Sequence, residues 1–298
     1  MKRYIIALAL LSTLTLSSCS REDDLRDTSS IVDVNTPQND FDIWLQDNYM
    51  DPYNIAFEYR YNDILIDMEP ALIPARYDEA ILLSKLVKHL TLDVYDELTG
   101  SPEFMREFFP KIIQLIGSPS YNADGSIVLG EAEGGKAMFL YNVNGLANIY
   151  SNKNIDKLND SYFHTMHHEF AHILHQTKPY SKSYETISSS LYVGNNCFET
   201  YKTDESALKV GFITPYSATN SDEDFVEIIS TYVTSTPQVW ADKLSVAGKV
   251  GKPIIISKLD IIRDYLLVQW NIDIDELRDI VMSRQAEPTL WNFDYSLE

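Results

Sequence analysis

His164-Thr165-Met166-His167-His168-Glu169-Phe170-Ala171-His172-Ile173-Leu174-His175-Gln176 holds five of the chain's six histidines. Read as a helix, the stretch becomes chemically coherent. At ~3.6 residues per turn, His168 and His172 stand one turn, about 5.4 Å, apart on a single face, so both rings can reach one metal ion. Glu169 lies ~100° round from His168, beside that ion, where its carboxylate can accept a proton from water. His175 shares the histidine sector, whereas Met166, Phe170, Ile173 and Leu174 fall on the opposite, core-packing side. A helix over residues 160–178 is therefore expected, with an apolar back, a polar stripe and Zn2+ as the ion that the His-Glu-x-x-His spacing favours.

A catalytic zinc takes three protein ligands and keeps a fourth position open. His175 is the candidate nearest in sequence. It lies seven residues past His168, ~10 Å along a continuous helix, and no glycine between His172 and Lys178 turns the chain back. It reads better as a support for the site than as a ligand. A second segment, Tyr216 to Glu227, carries Glu223 and Glu227, but its Ser221-Asp222-Glu223-Asp224 is also an ordinary acidic helix start. The residues alone leave the third ligand open.

Outward from the motif, the patterning is that of an α+β chain. A short helix over 40–49 carries Phe41, Trp44 and Leu45, and residues 53–61 alternate as a strand. Residues 77–98 form a long amphipathic helix with Ile81, Leu82, Leu86, Leu90 and Val94 on its apolar face, ending at Gly100. Ser101-Pro102-Glu103 starts another helix. Three short strands, 111–116, 126–130 and 137–143, make a small mixed sheet, and the last is either an edge strand that pairs with an extended peptide or an internal strand of the sheet. Helices near 203–210, 222–235, 256–270 and 274–285 complete a mainly helical C-terminal part.

The chain opens with Met1-Lys2-Arg3 and an apolar run from Tyr4 to Leu16, too short to span a bilayer, which takes ~20 residues. Leu16-Ser17-Ser18-Cys19 resembles a bacterial lipobox, which implies a signal peptide over 1–18 and a diacylated Cys19 as membrane anchor. The acidic run after it, Glu22-Asp23-Asp24, resembles the surface-export signal of Bacteroidetes lipoproteins. Residues 19–38 read as a flexible tether and 39–298 as the folded domain. The outer membrane, at the cell surface, is the expected location. A net charge of −20 excludes nucleic acid as a partner, because phosphate binding needs clustered Lys and Arg. With Cys19 acylated, only Cys197 remains, so no disulfide framework exists.

The segment Tyr216-Ser217-Ala218-Thr219-Asn220-Ser221-Asp222-Glu223-Asp224-Phe225-Val226-Glu227 is similar to the second zinc-site helix of gluzincins, as in the protease domain of anthrax lethal factor. By that resemblance Glu223 is the third zinc ligand, Glu227 steadies a ligand histidine, and Tyr216 donates to the oxyanion. His168-Glu169-Phe170-Ala171-His172-Ile173-Leu174-His175-Gln176, together with the lipobox, resembles a family of Bacteroidetes zinc metallopeptidase lipoproteins. The resemblance implies a zincin-like domain that cleaves peptide or protein substrates with Glu169 as general base. It also implies association with TonB-dependent importers and their surface lipoprotein partners. The rival expectation is a non-catalytic surface lipoprotein that binds nutrient beside such an importer.

Overall fold

The computed structural model describes residues 38–60, 72–121, 127–128, 130–133 and 136–297. The expected leader 1–18, the acylated Cys19 and the tether up to residue 37 lie outside the described residues. Asn39 opens helix α1 (residues 40–53) with a reciprocal cap: its side chain accepts from the Asp42 N–H, and its own N–H donates to the Asp42 carboxylate, each at 2.9 Å. A π turn at Gln46–Met50 carries α1 on to Tyr53, and the chain leaves through left-handed Asn54 at φ 54°. The strand expected from Tyr53 therefore begins only at Ala56.

Helix α2 (residues 77–99) buries Ile81, Leu82, Leu86, Leu90 and Val94 in the main core and ends on Gly100, whose φ of 79° few other residues adopt. Helix α3 (Glu103–Phe108) follows it.

The sheet is mixed and has four strands, β1 (Ala56–Glu58), β2 (Ile112–Leu115), β5 (Gly130–Glu133) and β6 (Ala137–Leu140), in the order β1-β2-β6-β5. The first three run parallel, and β5 runs antiparallel to β6, with Ala132 opposite Met138. A separate pair joins β3 (Ser120–Tyr121) and β4 (Ile127–Val128). The segment 137–143 is thus not an edge strand. β6 is flanked on both sides and all four of its residues are buried, as suits a continuous apolar run. The edge is β5.

Beyond the sheet the chain is helical: α4 (residues 155–177), α5 (Ser221–Thr234), α6 (Pro237–Trp270) and α7 (Ile274–Ala286). A π turn at Asn159–Phe163 runs directly into the histidine stretch of α4, which packs along α5 and also meets β5. Helix α6 starts some 20 residues before the expected 256–270 helix. It bends at Gly248, whose φ of 66° is non-helical, and resumes with Pro253 near the start of its second half, where few helical hydrogen bonds are lost. Gly251 lets α6 approach the segment before the site loop, since a Cβ there would lie 1.8 Å from the Leu208 carbonyl oxygen. Among the described residues no helix is long and apolar enough to cross a membrane.

Candidate metal centre

Two helices aim the site. In α4 the one-turn spacing of His164, His168 and His172 sets three rings in a row on the face turned to α5. In α5 the Asn220 side chain caps the helix, accepting from the Asp222 and Glu223 N–H groups at 2.8 and 3.0 Å. That cap splays the three acids of the first turn toward different partners. Asp222 accepts from the Tyr180 hydroxyl at 2.5 Å, Glu223 faces the histidines, and Asp224 pairs with the fully buried Lys258 at 2.6 Å.

Glu223 Oε2 lies 3.2 Å from His168 Nε2 and 3.3 Å from His172 Nε2. Donors held at 2.0–2.1 Å from a tetrahedral zinc ion are separated by about 3.3 Å. The tautomers agree with that spacing. His168 Nδ1 lies 2.8 Å from Glu227 Oε1 and donates its proton there, so Nε2 presents a lone pair toward Glu223. Two acceptors at that distance repel unless a cation stands between them. Without metal, a proton takes that place. Burial alone would lower the His168 pKa, but hydrogen bonds to Glu223 and Glu227 outweigh it and hold it at about 10. Burial likewise opposes ionisation of Glu223, yet His168 and His172 bring it down to about 2. The donor set of two imidazole nitrogens and one carboxylate fits zinc.

Behind His168 stands Glu227. Its Oε1 also meets His164 Nε2 at 3.0 Å, and its Oε2 accepts from the Thr214 hydroxyl at 2.6 Å. Burial penalises this charge, but His164 and His168 keep its pKa well below the usual carboxylate range. His164, His168 and Glu227 form a second group of possible metal donors within 4.8 Å of one another, but their facing atoms are already joined by hydrogen bonds. Behind His172, its Nδ1 lies 2.9 Å from His175 Nε2, so His175 backs a ring of the site and is not in the converging group. His167 points into the core toward the Tyr95 hydroxyl at 3.2 Å, and burial pushes its pKa down to about 3.

Tyr216 sits on the turn Tyr216–Ala218, its ring 6.0 Å from that of His168. Burial and the charges of Glu223, Glu227 and Glu169 push its phenol well up, so it keeps its proton. The charge of Glu169 acts on His168 as well as on Tyr216. Thr214 and His164 were not singled out from the sequence. His164 lies one turn before His168 on the same stripe, so periodicity carried its signal. Thr214 gave none, because its role depends on where the loop 211–217 lands. That loop is fixed by Lys258, whose Nζ donates to the Gly211 carbonyl at 2.8 Å while holding Asp224.

A family model described as "Putative zinc-binding metallo-peptidase" matches residues 34–275. Among solved structures, the chain is similar to a protein titled a putative zinc-binding metallo-peptidase from Bacteroides caccae ATCC 43185. The two are 34% identical, with a TM-score of 0.72 over 86% of this chain and 94% of that one. No curated protein matches the sequence.

Proposed function

The chain belongs to the putative zinc-binding metallo-peptidase family, and from that premise we propose that it is a membrane-anchored, zinc-dependent peptidase of gluzincin type. One observation carries the reading: His168 Nε2 and His172 Nε2 meet a single oxygen of Glu223 at 3.2 and 3.3 Å, the edge lengths of a zinc tetrahedron. Zinc held by these residues supplies Lewis acidity toward a water molecule and a substrate carbonyl. Glu169 takes the proton of the attacking water and passes it to the departing amine. The Tyr216 phenol, which keeps its proton, donates a hydrogen bond to the oxyanion that develops on the carbonyl. Glu227 and His175 hold the two ligand rings in register. An extended peptide pairs with the outer edge of β5, the strand that meets α4, and so runs past the site.

In this reading Cys19 carries the acyl chains, and the tether up to residue 38 lets the domain work at the outer surface of the outer membrane. There it supplies peptides to a TonB-dependent importer and its lipoprotein partners. Purification without added metal should yield one equivalent of zinc per chain by plasma mass spectrometry. Glu169→Gln should keep the metal and cleave peptides about 10²–10⁴-fold more slowly. A zinc-free wild type, or a Glu169→Gln variant as fast as wild type, would falsify the reading.

A further inference from the structure

Phe198 lies on the one-turn helix Cys197–Thr200 and is 55% exposed, while Tyr216 is 38% exposed. Their rings stack with centroids 6.2 Å apart and planes 18° from parallel, and the Tyr216 ring in turn lies 6.0 Å from that of His168. A line of rings thus runs from a metal-site histidine to an exposed phenylalanine. We propose that Phe198 and Tyr216 form an aromatic subsite that selects peptides with a large apolar side chain close to the scissile bond; the proposal rests on the peptidase reading above.

The stack is built before any ligand arrives. Val193 N–H donates to the Ala218 carbonyl at 2.8 Å and Gly194 N–H to that of Thr219 at 3.1 Å, which ties the Phe198 segment to the Tyr216 turn. Cys197, next to Phe198, and Ala218, two residues past Tyr216, are buried in one small apolar cluster with Phe212. Little ordering therefore accompanies binding, and the gain scales with the apolar area that a side chain covers. An aliphatic or aromatic side chain can lie against both rings, whereas a charged one would give up hydration there without gaining a partner.

The test is a panel of N-acetylated peptides Ala-Ala-X-Ala-Ala, with X as Phe, Leu, Ala, Lys or Asp, given to the zinc-loaded protein. Wild type should favour Phe and Leu over Ala in kcat/KM by about tenfold or more, and reject Asp. Phe198→Ala should lower the Phe/Ala ratio about tenfold, and Phe198→Trp should preserve it. A second readout is equilibrium binding of the X = Phe peptide to zinc-loaded Glu169→Gln by fluorescence anisotropy, which Phe198→Ala should weaken by a similar factor. A ratio and an affinity indifferent to Phe198→Ala, or a preference for Asp or Lys, overturns the subsite while leaving the peptidase standing. Failure of wild type to cleave any member, with no binding to Glu169→Gln, overturns both.

Discussion

The two histidines that face Glu223 are supported from behind by different chemistry. His168 rests on Glu227, a buried carboxylate whose oxygens are engaged by His164, His168 and Thr214 at 3.0, 2.8 and 2.6 Å. These partners come from α4 and the loop 211–217, while Glu227 itself stands on α5, so the tertiary fold fixes that ring. His172 rests on His175, three residues further along its own helix and 2.9 Å away. Burial and the neighbouring His172 lower the His175 pKa, so it stays neutral and its Nε2 can accept the proton on His172 Nδ1. A carboxylate raises the basicity of its histidine more than a neutral imidazole does. One ring is thus held by a deep charged network and the other by a local neutral pair, and the two should respond unequally to damage.

The largest expected effect is on the buried side. Glu227→Ala strips His164, His168 and Thr214 of their shared acceptor and leaves polar atoms facing a cavity. It should cost about 3–5 kcal/mol in unfolding free energy, the range for breaking a buried charged network. Zinc affinity should fall about 10–100-fold, measured by competition with a chromogenic chelator. Unchanged affinity would show that His168 is held by the helix alone.

Removing the metal sharpens the same contrast through pH. In the chelated protein the His168 pKa rises from 6.5 to about 10, so its contribution to stability is complete below pH 6.5 and disappears as pH climbs through 10. Glu223 falls from 4.5 to about 2, so its contribution is present above pH 4.5 and disappears as pH drops toward 2. The melting temperature of chelated protein should therefore decline between neutral pH and pH 10. The zinc-loaded form should lack that decline, since the ion takes the place of the shared proton. Parallel melting curves with and without chelator across this range would contradict the assignment.

This asymmetry also separates what the sequence discloses from what it hides. His168, Glu169 and His172 are legible because their relation is local: one helical turn, set by the backbone alone. Glu223 lies 51 residues beyond His172, and only a resemblance linked the two segments. Spacing carries no information about how α5 folds back on α4. The acidic start of α5 looked like a helix cap, and Asn220 is indeed its cap, yet Glu223 and Asp224 in the same turn serve the site and a buried ion pair. The α+β class was readable from periodicity, but the pairing of the strands was not: residues 127–128 of the expected strand 126–130 pair with β3 in a separate sheet, and β5 went unread. The first half of α6 was not read; the two halves meet at non-helical Gly248, and Gly251 beyond it lets the helix pack close against the Leu208 carbonyl. The sequence left β6 between edge and interior; the sheet places it inside, with its apolar run Ala137 to Leu140 fully buried.

The smallest effect belongs to the local pair. His175→Ala removes the acceptor behind His172, but the His172 ring is only partly buried and water can replace the lost partner. The helix keeps its backbone, and alanine has the higher helix propensity, which offsets part of the lost ring packing on Tyr180 and Phe225. Unfolding free energy should fall by about 1 kcal/mol or less, within the range of one neutral hydrogen bond. Zinc affinity should drop about tenfold, the low end for loss of an outer partner. Measured by the same chelator competition, the gap between His175→Ala and Glu227→Ala gives the difference between a neutral and a charged support. Equal losses would mean that the charge on Glu227 adds nothing beyond orienting its ring, and that the deep network serves packing instead of the metal.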